Sequence, residues 1–163
     1  MAVVQNSYSE NIRPAVAGMV ANQRNWDADT LNVETAAGIP FGVAVGRGAA
    51  VDGAILGAAG GDGFRGISIR DVTLDPRDKD AYQKEANIGV LTNGDIWVTT
   101  GGPVTAGQPV TFDKATGVLS NIAPSATQFV AMGATWMTNA PAGGLAIVRL
   151  SGAVAAPASQ PGG

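Results

Sequence analysis

Several short stretches contain residue types that could perform chemistry. GDGFRG, residues 61–66, matches the G-x-G-x-x-G pattern in which backbone amides approach a dinucleotide pyrophosphate. That use needs a strand before the motif and a helix after it, whereas the residues that follow, ISIRDV, alternate as a strand does. No Gly-Lys-Ser/Thr triplet occurs, so the Walker pattern is absent as well. We interpret GDGFRG as a loop that leads into a strand.

Carboxylates form two groups that could hold a hard cation or act as an acid–base pair. They are Asp27 with Asp29, and Asp75, Asp78, Asp80 and Glu85. Neither group has the glycine and the distant glutamate that a calcium loop requires at set offsets. A glycosidase pair has little specificity here, because a chain with 13 acidic residues offers many such pairs. We interpret both groups as solvated charges, and a hydrolase that uses them stays as a third hypothesis.

The composition removes most other kinds of chemistry. Histidine and cysteine are absent, so the chain lacks the usual general base near neutral pH, the commonest metal ligand, thiolates and disulfides. The net charge is −3 and no cluster of Lys and Arg could follow a phosphate backbone. We therefore predict a protein that is not an enzyme, needs no metal or cofactor and does not bind nucleic acid.

The elements that must position any binding residues are short strands and turns. The 163 residues suit one domain with appendages, and 23 of them are glycine, which disfavours helices. The start lacks a secretory signal, and the apolar run AVAGMVA, residues 15–21, is far shorter than the roughly 20 residues that span a bilayer. We expect a soluble protein that is made in a cytoplasm.

Alternating apolar residues predict a series of strands between residues 30 and 150. GIPFGVAVGRG, residues 38–48, places a large apolar side chain at every second position and a small or rigid residue between them. In residues 88–100, Asn93 and Gly94 lie between two strand-forming runs and predict a tight hairpin turn. Further strands or hairpins are predicted at 64–72, at 109–122 and at 128–138 with 144–150. This spacing predicts an all-β domain, a small barrel or sandwich, at residues 28–150.

The two ends of the chain differ from this domain. Residues 1–27 contain Tyr8, Ile12, Val16, Met19 and Val20, but a proline and a glycine prevent a continuous helical face. Exposed apolar side chains of this size forgo about 1.5 to 3 kcal/mol each. We therefore predict an extended N-terminal arm that docks on another surface. Residues 151–163 consist mainly of small residues and proline, which is typical of a flexible tail.

The tryptophans, if exposed, allow a second kind of binding. If Ile96 and Val98 face the core, Trp97 faces outward, where it could anchor a partner or cover the rim of the barrel. An exposed Trp97 or Trp136 would also suit a receptor- or carbohydrate-binding module of a virion fibre or of a surface lectin. Both interpretations remain open at this stage.

Five stretches, in order, resemble the structural cement proteins of tailed bacteriophages. They are RPAVAGMVAN, ETAAGIPFGVAVGRG, GISIRDV, IGVLTNGDIWVTTGGPVTAGQPVTF and GATWMTNAPAGGLAIVRL, and together they cover most of residues 13–150. The resemblance lies in their order and spacing, because no stretch is a catalytic signature. The family often has a Gly-Glu pair after the tyrosine of the charged loop, whereas here Tyr82 is followed by QKEA.

The resemblance implies a barrel-like domain with an N-terminal arm, assembled as a homotrimer on the outer surface of the phage capsid. It implies that the partner is the major capsid protein and that the protein stabilises the mature shell by bridging capsomers, after synthesis in the host cytoplasm. With the apolar arm, it predicts capsid or subunit contacts at Ile12, Arg13, Pro14, Val16, Met19, Val20, Trp26 and Trp97.

Overall fold

The computed structural model describes residues 15–58, 63–73 and 81–152, and these residues contain β-strands and no helix. The strands are β1 (Asp27–Val33), β2 (Ile39–Pro40), β3 (Ala44–Arg47), β4 (Gly53–Leu56), β5 (Phe64–Ser68), β6 (Ala81–Tyr82), β7 (Asn87–Thr99), β8 (Pro109–Asp113), β9 (Leu119–Ser120), β10 (Gln128–Trp136) and β11 (Leu145–Ser151). Among these described residues there is accordingly no helix that could span a membrane. The predicted all-β class is confirmed.

β7 is shared by the two halves of the fold. In the first half the strand order is β1-β4-β3-β5-β7, and β1 pairs with β7 as well, so these strands close into a small barrel. The first residues of β7 pair with β1 on one side and β5 on the other. The apolar cluster of this half contains Leu31, Val33, Ile39, Phe41, Val45, Ala54, Tyr82, Ile88 and Val90. The predicted barrel is therefore confirmed.

The second half continues from β7 through β11, β10, β8 and β9. A parallel bridge between Thr100 and Leu119 brings β9 back to the end of β7. The core of this half includes Trp136, which is fully buried and whose indole Nε1 donates a hydrogen bond to the Ser120 carbonyl oxygen at 3.2 Å. The hypothesis of an exposed Trp136 that binds a ligand is therefore wrong.

Residues 88–100 do not form the predicted hairpin. All of them except Thr100 lie in β7, which continues through the Asn-Gly pair for 13 residues. Asn93 pairs with Asp27 of β1 and with Ser151 of β11, so each flanking run has a partner elsewhere in the chain. Gly94 has a φ of 120°, and a Cβ added there would lie 2.8 Å from the Cβ of Trp26. The pairing with β1 and β11 thus overrides the preference of Asn-Gly for a turn. Gly94 instead allows Trp26 to pack closely against β7.

The alternating stretch at residues 38–48 is also divided. A turn at residues 41–43 separates β2 from β3, although its large apolar side chains are buried or half-buried as expected. A Cβ at Gly42 would lie 2.7 Å from the backbone nitrogen of Gly18, and one at Gly46 would lie 2.2 Å from the carbonyl oxygen of Gly57. The small residues therefore let other backbone segments of the same chain approach closely.

Other predicted elements are present. β8 pairs with β9, and β10 pairs with β11, each pair antiparallel, which confirms the second and third predicted hairpins. The strand predicted after GDGFRG begins within the motif as β5. Residues 61–62 of that motif, residues 74–80 of the charged stretch, and the predicted ends at 1–14 and 153–163 lie outside the described residues. The boundaries predicted near residues 27 and 150 stay predictions.

Candidate functional site

Residues 18–21, called the docked segment below, lie along the second half of β7. The backbone nitrogen of Gly18 donates to the Trp97 carbonyl at 2.8 Å, and the Trp97 nitrogen donates to the Met19 carbonyl at 2.9 Å. Farther along, the Ala21 nitrogen donates to the Asp95 carbonyl at 2.7 Å. This part of β7 therefore has β11 on one side and the docked segment on the other.

The docked segment contributes one side chain to the core. Val20 forms an antiparallel bridge with Ile96 and packs against the buried cluster of the second half. Ala15, just before the segment, is 5% exposed. Gly18 has a φ of +82° and lies so close to Phe41 that an added Cβ would be 2.9 Å from the Phe41 Cβ. The arm was predicted to dock on another surface, but this part of it docks on its own chain, so the prediction is wrong for these residues.

A buried carboxylate connects Asn22, the residue after the docked segment, to β11. Asp95 is 6% exposed, and its two oxygens accept hydrogen bonds from Nε and Nη2 of Arg149 at 2.7 and 2.9 Å. The side-chain amide of Asn22 donates to the same carboxylate. The hydrogen bonds from Arg149 are the main reason why the pKa of Asp95 is lower than that of a free aspartate, and the Asn22 bond adds to the effect.

Apolar side chains form a row on the outer face next to this ion pair. Trp97 of β7 is paired with Ile147 of β11, and the nitrogen of Met137, the residue after β10, donates to the Ile147 carbonyl at 2.8 Å, so these residues are neighbours across the sheet. Because alternate residues face opposite sides, the burial of Ile96, Val98 and Val148 turns this row outward. Met19 is 48% exposed and Met137 is 37% exposed at its two ends. We call Met19, Trp97, Ile147 and Met137 the outer row.

A second apolar surface lies on the outer side of β8 and β10. Ile122, Val130 and Met132 are 51%, 42% and 54% exposed. An open groove of about 240 Å³ passes between Ile122 and Val130, with Pro109 and Pro124 in its lining. Apolar surfaces of this kind bury area against a protein partner but offer few polar groups to orient a small substrate.

The carboxylates considered in the sequence do not form a site in the described residues. Asp27 and Asp29 are exposed on β1, and Asp29 Oδ2 lies 3.5 Å from Nη2 of Arg65. In the ranges that the structure describes, no three carboxylates lie together in a way that could hold a metal ion. Asp75, Asp78 and Asp80 lie outside those ranges.

The predicted contact residues have different positions. Met19 and Trp97 are brought together in the outer row, whereas Val20 faces the core. Trp26 is 44% exposed and packs on Gly94, beyond the docked segment. Val16 is half-buried, and Trp97 is half-buried as well. Ile12, Arg13 and Pro14 lie outside the described residues.

Sequence reasoning missed Ile147, Met137 and Asp95. β11 carries apolar residues on both faces, since Ala146, Val148 and Leu150 are buried while Ile147 is not fully covered. An apolar residue on the outward face of a strand was the available signal. For Asp95 the signal was a lone carboxylate inside an apolar strand, which requires a partner when it is buried.

Known proteins match this chain in sequence and in fold. A family model described as structural cement protein (E217 gp24/Pam3 gp6) matches residues 4–151. The chain belongs to this structural cement protein family. It is a capsid cement protein of a phage, with a structural role in the virion, and the resemblance seen in the sequence is confirmed.

The fold has a solved counterpart. A chain from the capsid of Myoviridae phage XM1 is 16% identical, with a TM-score of 0.73 over 92% of this chain and 98% of that chain. At this identity the likeness shows a shared fold. No curated protein matches the chain.

Proposed function

We propose that this cement protein binds the outer surface of the mature phage head, contacts the major capsid protein and bridges neighbouring capsomers. The observation that supports this most directly is the outer row. It places Met19 of the predicted arm beside Trp97, Ile147 and Met137 on one face. Family membership supplies the capsid as the partner, and the outer row supplies a surface that gains free energy when it is covered.

The strength of such a contact follows from exposed apolar area. A large apolar side chain that becomes fully buried contributes about 1.5 to 3 kcal/mol. Met19 and Met137 are 48% and 37% exposed, so each retains roughly a third to a half of that contribution for a partner. The free energy that a single such side chain contributes to binding is small. Linking several in one assembly raises avidity by about 10² to 10⁴, provided that the sites can be occupied together.

A homotrimer with three arms would provide that linkage. In this proposal Ile12, Arg13, Pro14 and Val16 precede the docked segment and reach adjacent capsomers, while Met19 and Trp97 contact the capsid from the domain itself. Trp26, which is 44% exposed, supplies a further contact. Val20 acts differently, because its inward position supports the segment that carries Met19.

Co-sedimentation with expanded, undecorated phage heads tests the outer row. We expect Met19→Asp and Met137→Asp each to lower affinity at least tenfold, because each places a charge in an apolar contact. Val51→Asp and Val72→Asp are the matched controls, since these valines are 85% and 86% exposed outside the row. The controls should bind as the unmodified protein does and should raise the melting temperature of the heads equally.

Two results would contradict the proposal. Met19→Asp and Met137→Asp could both retain full affinity while melting like the unmodified protein, which would exclude the outer row as the contact. Equal binding to unexpanded precursor heads would argue against a role in stabilising the mature shell. If a glycan array instead showed sugar binding that Trp97→Ala abolishes, the receptor-binding hypothesis would replace this one.

A further inference from the structure

We propose that the second apolar surface, formed by Ile122, Val130 and Met132, joins copies of this chain in the proposed homotrimer. In this contact the Met132 side chain of one copy enters the groove between Ile122 and Val130 of the next copy. The inference rests on the proposed homotrimer and adds the face through which its copies associate. The outer row stays available for the capsid.

Charged residues are nearly absent from the part of the chain that carries this surface. Of the 10 basic and 13 acidic residues, only Asp113, Lys114 and Arg149 fall within residues 96–163, and none falls within residues 115–148. Five of the nine large apolar side chains that are exposed in the described residues belong to this part: Val118, Ile122, Val130, Met132 and Met137. Exposed methionine and aliphatic side chains with few charges are typical of the centre of a protein–protein interface.

The groove suits an apolar side chain, because its polar side chains already have partners. Nδ2 of Asn121 donates to Oε1 of Gln108 at 2.8 Å. Oγ1 of Thr111 donates to the Ile122 carbonyl, also at 2.8 Å. An apolar occupant leaves these bonds intact. The volume of about 240 Å³ lies below the roughly 300 to 1,000 Å³ of most small-molecule sites, so the groove has room for one or two side chains of a protein partner.

The face that carries the groove also carries a side chain that would fill it. Val130 and Met132 are exposed while Ala131 between them is buried, so Met132 projects about 7 Å along β10 from the groove. Methionine is unbranched and has three rotatable bonds, which lets it adapt to an irregular groove. A groove and a projecting side chain on one face make a heterologous contact, and such contacts close into a ring of three when each copy is rotated by a third of a turn.

The charge distribution favours a second copy of this chain as the partner. Each copy has a net charge of −3, so a contact between copies must avoid the charged first half of the fold, where like charges would meet. The second apolar surface meets that condition. At its edge, Asp113 accepts a hydrogen bond from the Thr116 nitrogen at 2.8 Å, and the Lys114 ammonium lies 5.8 Å from the centre of the Phe129 ring. These two charges thus already have partners within the chain.

The C-terminal residues are a second candidate to cover the surface. Ser151 Oγ donates to the Gly133 carbonyl at 2.9 Å, so the chain continues from a point beside β10. Residues 153–163, however, contain a single large apolar side chain, Val154. Fixing several residues of backbone costs more free energy than burying one valine contributes. A second copy brings its apolar side chains on a face that is already folded, and so avoids that cost.

Light scattering of the full chain tests the contact. We expect Met132→Asp and Val130→Asp each to raise the dissociation constant of the trimer about tenfold or more, because each places a charge in an apolar contact. The measured mass should then fall toward that of one 16.3 kDa chain on dilution. Both residues are about half exposed, so the variants should keep the circular dichroism spectrum of the unmodified protein.

Three matched variants should keep the trimer mass. Met132→Leu retains an apolar side chain of similar volume. Val51→Asp and Val72→Asp place the same charge at valines that are 85% and 86% exposed outside this surface. A loss of trimer mass in these two aspartate controls would show a general effect of charge and would overturn the assignment of the contact.

A photoreactive diazirine amino acid of similar size in place of Met132 identifies what this position contacts. Irradiation of a mixture of isotope-labelled and unlabelled chains should yield covalent dimers that carry both labels, with the crosslink mapped to residues 121–124 or to Val130. Crosslinks to residues 153–163 of the same chain would assign the groove to the C-terminal residues and overturn the proposal.

The mass measurements separate this contact from the proposed function. If the unmodified protein is a monomer, the homotrimer fails and the contact fails with it. If the unmodified protein is a trimer and Met132→Asp and Val130→Asp remain trimers, the contact alone is refuted. Should those trimeric variants also stop co-sedimenting with phage heads, the capsid covers this surface instead. Met137→Asp, in the outer row, should keep the trimer mass and lose head binding.

Discussion

Replacing Asp95 by asparagine should release the docked segment while leaving the two cores intact. The carboxylate accepts two hydrogen bonds from Arg149 and one from Asn22. Asparagine keeps one acceptor oxygen, but its NH₂ group faces a donor in place of the second oxygen. Hydrogen bonds to charged groups contribute about 1.5 to 3 kcal/mol. The Arg149 side chain is 52% exposed and can regain water, so we expect a cost of about 1.5 kcal/mol, at the lower end.

Amide hydrogen exchange measures this effect where it should occur. The amides of Ala21 and Trp97 bond across the junction between the docked segment and β7, and a loss of about 1.4 kcal/mol corresponds to roughly tenfold faster exchange. Asp29→Asn is the control, because the Asp29–Arg65 pair is 3.5 Å long and exposed, and such pairs contribute at most about 1 kcal/mol. If the Ala21 and Trp97 amides of D95N exchange as slowly as in the unmodified protein, the anchoring role of Asp95 is refuted.

Three further measurements follow from the packing and the charges. Gly42→Ala should lower the free energy of unfolding in urea by about 1 to 3 kcal/mol, because the residue has a φ of +71° and its Cβ would lie 2.7 Å from the Gly18 nitrogen. An unchanged urea midpoint would contradict this. The pKa of Asp95 is lowered in the folded protein, so its ion pair stabilises the fold fully above the unfolded pKa of about 3.9, and this contribution is lost as the pH falls through the lower folded value. The protection of the Ala21 amide from hydrogen exchange should therefore stay constant between about pH 8 and 5 and fall only under stronger acid. A loss of protection already at about pH 6 would show that another group titrates. Trp136→Phe should lower the free energy of unfolding by about 1 to 2 kcal/mol, because the hydrogen bond to Ser120 and some side-chain volume are lost, and Trp136→Ala should lower it by about 3 to 5 kcal/mol. If both variants melted at the same temperature as the unmodified protein, Trp136 would not contribute to the core.

The parts of the fold that could be predicted are those that depend on nearby residues. Alternation marks β5, β8, β10 and β11, and two antiparallel pairs join strands that follow one another along the chain. The absence of histidine and cysteine restricts the chemistry whatever fold the chain adopts. The family resemblance was also readable, because it lies in the order and spacing of the motifs rather than in their contacts.

The sequence by itself determined the β-rich architecture, the alternating core positions and the membership of the cement family. The tertiary structure decided that Asn93 and Gly94 lie inside β7, because partners distant in the chain satisfy both flanking runs. It also decided which leading residues belong to the domain and which outward residues form the outer row. The outer row combines residues from four segments, and Met19 and Ile147 are 128 residues apart in the chain. Their alignment depends on the register between these segments, which is set by burial and pairing across the whole fold.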